Sequence, residues 1–593
     1  MTTQSLGIRS DVVRAASVSR VRRWRRHWAA ALLVAMISAL AIASERGKSW
    51  TADEDVHLIR GLSYWWVGDT RFNFAHPPLA NALQAAPSAV LDEKFDLSSL
   101  SGWRRLSPVR LSHQWARRDF ELVQHQVWRG RMVTVGFFAA LCGLVYWLGM
   151  RLWGRKTGLV ALVFVGANTA MLAHARLLTT DIPAVFASSV LLAATVRYVR
   201  QTGAMSWVWL CLSACLACLT KHSGLVLVAM SAAVVLATAG LGKLRFSGES
   251  LGPRVARPLR DFAAIGLVVL LAINAAYGFQ RTGWRVDELI AEKEPTSWLR
   301  RRNGGDLLDN NPVFSRLPPQ LRIPLPMPYL VGLATIAKQN SLGHGGYFAG
   351  KARKPGHVAY FPVMLAIKLP VGLLAMFAVG VVAVLRRRVR LSATSAVIAG
   401  FGGLYLAAAM RSDINIGVRH VLPFVPVMAL LAARSATWLL ERVDSMRVRT
   451  AVLASVLSVP GGALIAFPHY IGDFNVLVGG PRGGLYVNVI GEDWGQDTAA
   501  LADHVLESGK SPLYYYTNFT LRRFELSERG VDVRKFSCKK RPPPGGLIAI
   551  QRSDWVRKPG CFRWLREREP DATVARHLYV FDNGAAELSS SRR

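Results

Sequence analysis

The sequence predicts an α-helical polytopic membrane protein that ends in a small extracytoplasmic α/β domain. Of the 593 residues, 51% are hydrophobic, and they lie in long uninterrupted runs rather than in the short alternations of several soluble cores. Each run is close to the roughly 20 residues that a helix needs to cross a bilayer. Basic residues cluster in alternate loops, in a chain with a net charge of +35.

The apolar runs predict about eleven transmembrane helices, because backbone polar groups in lipid must pair within the chain and a helix does this most simply. The first run could instead be a cleavable signal peptide that ends near AIAS (41–44), but the many later spans favour an uncleaved helix. In either case the residues from 45 onward lie outside. The runs are 28–44, 133–150, 159–173, 184–196, 207–219, 225–239, 262–276, 359–385, 394–410, 421–432 and 450–467.

Arginine and lysine mark one set of loops as cytoplasmic by the positive-inside rule. The first cluster makes residues 1–26 a basic cytoplasmic N-terminus. Because the charges bracket apolar spans instead of covering one folded face, the composition indicates membrane lipids as partners and argues against nucleic acid. A multi-pass protein of the inner or plasma membrane is expected. The later clusters include Arg151, Arg155, Lys156, Arg197, Arg200, Lys243, Arg260, Arg386, Arg388, Arg390, Arg442, Arg447 and Arg449.

This alternation divides the chain into a cytoplasmic N-terminus, a transmembrane domain and a C-terminal domain. The transmembrane domain covers 27–467 and carries two long outer loops, 45–130 and 280–357. Residues 468–593 are extracytoplasmic and long enough for a small soluble domain.

The C-terminal domain reads as mixed α/β. LYYYTNFTL (513–521) and GLIAIQ (546–551) are typical of strands. DTAALADHVLESG (497–509) predicts a helix that stops at a glycine. A disulfide between Cys538 and Cys561 fits an oxidising compartment, although the sequence does not supply their separation.

Ionisable residues that border or interrupt the apolar runs fall on the predicted outer side. Such groups are costly at membrane depth, so they are usually paired or functional. Their concentration at one membrane face indicates a single site. The candidate site residues are Asp53, Glu54, His76, Asp181, Lys221, Arg419 and His420, and the other ionisable residues on the same predicted side are Asp55, His57, His174, His222, Lys368, Arg411 and Asp413.

Each candidate also has a purely structural interpretation. The acids of TADED (51–55) match a helix-capping pattern, and Asp181 stands at a helix start with a proline just inside. His76, before two prolines, could belong to an ordinary turn. Lys221 and Lys368 could extend to the membrane interface, and Arg419 and His420 could anchor lipid headgroups. His174 and His222 are more readily explained as structural residues.

Together, the candidates suit the transfer of a group from a lipid-linked phosphate. A carboxylate can accept a proton from an attacking hydroxyl, and lysine, arginine and histidine can neutralise a departing phosphate. A site at the bilayer surface suits a substrate with its lipid tail in the membrane. The sequence has no P-loop and no dinucleotide-binding glycine motif after a strand, in keeping with a donor that needs no nucleotide.

The order of the motifs resembles that of the protein O-mannosyltransferases and the related lipid A aminoarabinose transferases, which belong to the GT-C class. The resemblance implies a GT-C transmembrane fold and an inverting glycosyltransferase that moves a hexosyl or pentosyl unit from a polyprenyl-phosphate sugar to a hydroxyl. It rests on Asp53-Glu54, HPPL (76–79), TTD (179–181), LTK (219–221), YFP (360–362), INIGVRHVLP (414–423) and DWGQD (493–497).

The resemblance also implies a role for each candidate. It assigns catalysis to Asp53, Glu54 and Asp181, with Asp53 as the general base, Glu54 supporting it and Asp181 orienting the acceptor or a metal ion. It assigns donor-phosphate binding to His76, Lys221, Arg419 and His420. No cofactor is required, a divalent metal ion is left open, and the acceptor is a protein, a lipid or a glycan.

Two other functions are compatible with many spans. A transporter or lipid flippase should show two related halves with broken helices near the midplane, and no such repeat is found. An envelope scaffold would bind a partner through the C-terminal domain and leave the acids incidental. For the enzyme, the segment 280–357 is long enough to fold over the site when the donor binds.

Overall fold

The computed structural model of the protein describes residues 27–242, 250–291, 316–343, 346–353, 356–487, 494–517 and 520–584. The predicted basic N-terminus, Lys243, Asp493 of the DWGQD motif and residues 292–315 of the second outer loop lie outside these ranges.

The described part of the chain is mostly helical, with the strands concentrated towards the C-terminal end. The helices are α1 (Trp28–Ala43), α2 (Glu54–Leu62), α3 (Pro78–Leu91), α4 (Ser101–Arg104), α5 (Pro108–Arg118), α6 (Phe120–Trp153), α7 (Arg155–Gly166), α8 (Thr169–Ala175), α9 (Asp181–Arg200), α10 (Ala204–Thr220), α11 (Gly224–Gly240), α12 (Leu251–Ala276), α13 (Val286–Ala291), α14 (Met327–Leu342), α15 (Tyr360–Lys368), α16 (Val371–Leu385), α17 (Ala393–Met410), α18 (Val425–Arg442), α19 (Met446–Ala466), α20 (Thr498–Ser508), α21 (Thr520–Glu528) and α22 (Arg552–Arg557). The strands are β1 (Gly346–Phe348), β2 (Lys351–Arg353), β3 (Leu513–Tyr516), β4 (Val533–Arg534), β5 (Leu547–Gln551), β6 (Ala572–Val574) and β7 (Leu578–Asp582).

The chain is an integral membrane protein. Within the described residues, 6 helices are long and apolar enough to cross a membrane, and the bent pair α7 and α8 brings the number to 7. Shorter apolar helices, α1, α10, α11 and α16, occupy other predicted runs. Each predicted run therefore coincides with a helix or a pair of helices, while the total of about eleven crossings stays a prediction.

Two predicted runs are broken in the structure. The run 159–173 bends by 64° between α7 and α8, where the Asn168 side chain accepts the N–H of Ala170 at 3.0 Å and starts a new helix. The run 359–385 is interrupted at Leu369, which is extended because Pro370 follows it. Lys368 lies at this second break and donates to the carbonyl of Ile471 at 2.7 Å.

Helix α6 is the axis of the helical domain and contacts α1, α3, α7, α9 and α18. Its contact with α7 is close because both helices present glycine there. A Cβ on Gly158 would lie 2.6 Å from the carbonyl oxygen of Tyr146, so only glycine fits this approach. This packing fixes α6, which carries a buried arginine of the site at its predicted outer end.

Residues 44–119 form a folded unit between α1 and α6, which we call the first loop. Helices α2 to α5 enclose an aromatic core that includes Trp50, Phe72, Trp103 and Trp115. Leu521 of the C-terminal domain belongs to the same core. The first loop and the C-terminal domain therefore share one hydrophobic interior.

The C-terminal domain is α/β, as predicted. Its five strands run in the order β4-β3-β5-β7-β6, with β3 parallel to β4 and β5, and β7 antiparallel to β5 and β6. GLIAIQ forms β5, and α20 stops at Gly509, whose φ of 64° is the left-handed helix end that glycine tolerates. Cys538 and Cys561 form a disulfide.

One strand prediction in this domain is wrong in its second half. LYYYTNFTL is a strand only from Leu513 to Tyr516, and Thr520 already begins helix α21. The helix buries Leu521 and Leu526 and places Phe524 against Phe120, with ring centroids 6.0 Å apart. Burial of Leu521 and Phe524 in the core of the first loop, and of Leu526 in the core of the C-terminal domain, favours the helix over the local strand preference.

Candidate functional site

The TADED segment leads into helix α2 with one half of the capping-box pattern, since the buried Thr51 hydroxyl has no hydrogen-bond partner among the described residues. Glu54 Oε2 accepts the backbone N–H of Thr51 at 2.6 Å, which is the reciprocal bond expected for a T-x-x-E sequence. Asp53 stands just before the helix, and its carboxylate makes no cap hydrogen bond. Glu54 therefore makes the backward bond of the predicted capping pattern, while the Asp53 carboxylate makes no cap bond and pairs elsewhere.

Glu54 is fully buried and is held by Arg131 of α6. The guanidinium donates to both carboxylate oxygens, at 2.8 and 2.7 Å, and the N–H of Leu178 donates to Oε1 at 2.7 Å. Burial acts to raise the pKa of Glu54, but Arg131 and these hydrogen bonds hold the pKa below its ordinary value. Glu54 is therefore ionised at neutral pH, and both of its carboxylate oxygens are already engaged.

Asp53 is the exposed carboxylate of the site. Its side chain is 44% exposed, and Oδ2 accepts from Arg419 Nη1 at 3.2 Å. Arg419 lies in a 3₁₀ turn, Val418–His420, which is followed by a second 3₁₀ turn, Leu422–Phe424, and then by α18. On its other side, the guanidinium lies 4.4 Å from the ring centroid of Trp494.

A second carboxylate, Asp181, is the first residue of α9 and is buried. Lys221, in the turn between α10 and α11, donates to Oδ1 at 2.8 Å, and His174 Nδ1 is 3.8 Å from Oδ2. Arg419 is also close enough to Asp181 to interact with it electrostatically. Because Lys221 remains 22% exposed, its ammonium has room for a second anionic partner.

Three histidines line the side of the site towards the HPPL motif. His57 Nδ1 shares a hydrogen bond with Asn81 Oδ1 at 2.8 Å, and its ring lies 5.1 Å from that of His76. His76 Nδ1 is 3.5 Å from Thr180 Oγ1, next to Asp181. His222 is bonded through Nε2 to the carbonyl of Phe74 at 2.9 Å.

Burial keeps these imidazoles neutral. It lowers the pKa of His57 to about 4, with help from the charge of Arg60, and holds the pKa of His76 well below its usual range. His76 can therefore donate or accept a hydrogen bond near a phosphate, whereas the positive charge must come from lysine and arginine. His420 contributes its backbone carbonyl, which accepts from Tyr405 Oη at 2.7 Å.

The structure thus brings Asp53, His76, Asp181, Lys221 and Arg419 together from five separate segments. Asp53 is linked to Arg419, Arg419 acts on Asp181, and Asp181 is bonded to Lys221. The predicted convergence of an acidic group with cationic residues is present. In the part of the chain that the structure describes, no set of three His, Cys, Asp or Glu residues is placed to hold a metal ion.

Sequence reasoning missed two residues of the site. Arg131 also donates to Glu45 Oε1 at 3.1 Å and to the carbonyl of Ser49 at 3.0 Å, so it ties the start of the first loop to α6. In the sequence, Arg131 was marked only by its position at the edge of an apolar run. Trp494 belongs to the DWGQD motif, but the sequence did not connect it with Arg419.

Asp55 provides a pH prediction. It is buried, Oδ2 accepts from Ser112 Oγ at 2.9 Å, and burial raises its pKa to about 7. Between about pH 4 and 7 the folded state retains a proton that the unfolded state releases, so stability should fall as pH rises through this window. We expect Asp55→Asn to raise the unfolding midpoint more at pH 8 than at pH 5, measured by thermal unfolding in detergent.

The control for this measurement is Asp444→Asn, since Asp444 is 93% exposed. It should leave the unfolding midpoint unchanged at both pH values. An Asp55→Asn variant that shifts the midpoint equally at pH 5 and pH 8 would show that the carboxyl does not titrate in this window.

Residues 67–280, about a third of the chain, match the family model described as dolichyl-phosphate-mannose-protein mannosyltransferase. The matched segment contains His76, Asp181 and Lys221, and precedes Arg419. The predicted resemblance to protein O-mannosyltransferases is confirmed over these residues. It supports a membrane glycosyltransferase that uses a polyprenyl-phosphate-linked donor. No curated protein matches the chain.

Similar solved structures include ArnT from Cupriavidus metallidurans bound to undecaprenyl phosphate, with 14% identity, a TM-score of 0.43, and coverage of 95% of this chain and 100% of that one. The apo state of the same protein gives 15% identity, a TM-score of 0.44, and coverage of 95% and 99%. The apo oligosaccharyltransferase of Archaeoglobus fulgidus gives 9% identity, a TM-score of 0.43, and coverage of 91% and 72%.

Proposed function

We propose that this protein moves a sugar from a polyprenyl-phosphate donor to a hydroxyl acceptor on the extracytoplasmic face of the membrane. The observation that carries the proposal is the half-exposed carboxylate of Asp53 beside Arg419, with Lys221 and Asp181 next to them. The family match of residues 67–280 supports the same reaction class and the lipid-linked donor.

Asp53 is the general base in this proposal. The acceptor hydroxyl gives its proton to the carboxylate, and its oxygen forms a bond to the anomeric carbon as the bond from that carbon to the phosphate oxygen breaks. The bonding electrons leave with the polyprenyl phosphate. Attack from the face opposite the phosphate inverts the anomeric carbon, and no covalent enzyme intermediate is formed.

Arg419 and Lys221 stabilise the departing phosphate. Charge-assisted hydrogen bonds to phosphate are among the strongest that side chains make, and the negative charge on the leaving oxygen grows in the transition state. A donor phosphate can replace Asp53 as the partner of Arg419, and this exchange frees the carboxylate to accept the acceptor proton. His76 adds a neutral hydrogen-bonding group at the same side, and His420 is the neighbour of Arg419 on the 3₁₀ turn.

The remaining acids act indirectly. Asp181 orients Lys221 through the 2.8 Å bond and keeps its ammonium at the site. Glu54 holds the turn that carries Asp53, because it bonds Thr51 and is itself fixed by Arg131.

Lys221→Gln should weaken the binding of a polyprenyl phosphate. Loss of one charge-assisted hydrogen bond costs about 1.5–3 kcal/mol, which corresponds to a dissociation constant roughly 10- to 150-fold higher. The measurement is the dissociation constant of the purified protein for undecaprenyl phosphate. Lys510→Gln, which removes a surface ion pair with Asp582, is the matched control and should bind normally.

The proposed reaction itself is tested with purified protein, a panel of radiolabelled polyprenyl-phosphate sugars and membrane extract. Transfer of label from one donor to a hydroxyl-bearing protein, lipid or glycan is the expected result, and its identity gives the acceptor. Wild-type protein that binds undecaprenyl phosphate but moves the intact labelled lipid between leaflets, with no transfer, would favour the flippase alternative.

A further inference from the structure

We propose that Trp494 of the C-terminal domain is a positioning residue of the active site. Its indole ring holds the Arg419 guanidinium in the place where that group meets Asp53 before the donor binds and the phosphate afterwards. The inference rests on the proposed function for the role of Arg419, but the contact between the two residues can be tested independently of any reaction.

The contacts of the Arg419 guanidinium support this role for the indole. The guanidinium carbon lies 4.4 Å from the centroid of the Trp494 ring, within the range of a cation–π contact. Among the described residues, Arg419 Nε has no hydrogen-bond partner, although it is buried. One terminal nitrogen is bonded to Asp53 at 3.2 Å. Stacking on Trp494 therefore fixes the plane of the guanidinium, which the hydrogen bond alone leaves free to rotate.

Trp494 is itself rigid. It is only 2% exposed, and the edge of its ring meets the His174 ring at 6.2 Å with an interplanar angle of 90°. Its backbone N–H donates to Gln496 Oε1 at 2.7 Å, and its carbonyl accepts the N–H of Ala52 at 2.9 Å. The backbone of Trp494 is thus tied to the residue just before Asp53, and its indole packs against the histidine beside Asp181.

The neighbours of Trp494 strengthen this attachment to the first loop. The carbonyl of Gln496 accepts the N–H of Ser49 at 3.0 Å. Asp497 is ion-paired with Lys48 and bonded to His577 Nε2 at 2.9 Å. Residues 494–497 therefore run beside residues 48–52, and a single segment aligns both members of the Asp53–Arg419 pair.

The same domain contains a matched pair that lies outside the site. Arg566 stacks on Trp555 at 4.8 Å, and Trp555 packs against Phe562 and Phe581 inside the disulfide-bonded part of the domain. Removal of Trp555 also deletes a partly buried indole and a cation–π contact. It therefore separates a positioning effect at the site from general destabilisation of the domain.

The experiment is a double-mutant cycle on the full-length protein in detergent, with Trp494→Ala, Arg419→Gln and the combination. The readouts are the dissociation constant for undecaprenyl phosphate and the unfolding midpoint. We expect Trp494→Ala to weaken binding by up to about 30-fold, the size of a desolvated cation–π contact. Trp494→Phe should restore most of the affinity. The double variant should bind no more weakly than Arg419→Gln, since the indole acts through that arginine.

Trp555→Ala should lower the unfolding midpoint and leave binding unchanged. The proposal is overturned if Trp494→Ala and Arg419→Gln have additive effects on binding, or if Trp555→Ala weakens binding equally. If the wild-type protein does not bind undecaprenyl phosphate, the donor assignment is wrong. The coupling between the two substitutions is then calculated from the unfolding midpoints. Absence of coupling in that readout would overturn the positioning role by itself.

Discussion

Asp53→Asn is expected to reduce the rate of sugar transfer by about 10²- to 10⁴-fold, the usual contribution of a general base. Asparagine has nearly the same shape and can still accept the hydrogen bond from Arg419, but it cannot take the proton of the acceptor hydroxyl. Binding of undecaprenyl phosphate should be retained or tighter, because Arg419 is released from a charged partner. The measurement is the initial rate with the donor identified in the labelling assay.

The matched control is Asp69→Asn, since Asp69 is also an arginine-paired aspartate of the first loop and bonds Arg71. It should transfer sugar at the wild-type rate. An Asp53→Asn variant with full activity would remove Asp53 from the chemistry. A variant that lost transfer together with its unfolding transition would instead place Asp53 among the residues that maintain the fold.

Arg131→Met should cause the largest loss of stability. It leaves Glu45 and Glu54 buried without their shared cation, and breaking a buried ion pair from one side costs about 3–5 kcal/mol. Thermal unfolding of the purified protein measures the loss, and the yield of folded protein should fall with it. Activity should fall as well, because Glu54 supports the turn that carries Asp53.

Two further variants define the origin of that loss. Adding Glu54→Gln and Glu45→Gln to Arg131→Met removes the stranded charges and should recover much of the stability. Arg129→Met, which removes a neighbouring but more exposed pair with Asp92, should have a small effect. If Arg131→Met unfolds at the wild-type temperature, the buried network does not stabilise the first loop.

The helices could be predicted from the sequence because each apolar run is long and continuous. Their breaks were harder to see. Pro370 marks the end of α15 in a way that the sequence does show, since a residue before proline avoids the helical conformation. The bend at Asn168 arises because the side chain of that residue caps a new helix. An asparagine in an apolar run does not by itself predict a helix N-cap.

The site was predictable in outline because its charged residues all border apolar runs at one predicted face. The division of roles was not. The T-x-x-E pattern did indicate the bond from Glu54 back to Thr51, but the pairing of Glu54 with Arg131 joins positions 77 apart and arises only from the packing of α6 on the first loop. Likewise, His76 is neutral because it is buried, and the burial of a histidine in a loop could not be predicted from the sequence.

The contact between Lys48 and Asp497 joins positions 449 apart in the chain. During synthesis, the segment around Asp53 is made early and Trp494 is made much later. The ribosome must therefore synthesise most of the polypeptide before Asp53 and Trp494 can come together. Closing so long a loop is slow compared with forming local helices. A nascent or truncated chain is therefore expected to have no activity with lipid-linked sugars. The activity should appear only when the C-terminal domain has folded.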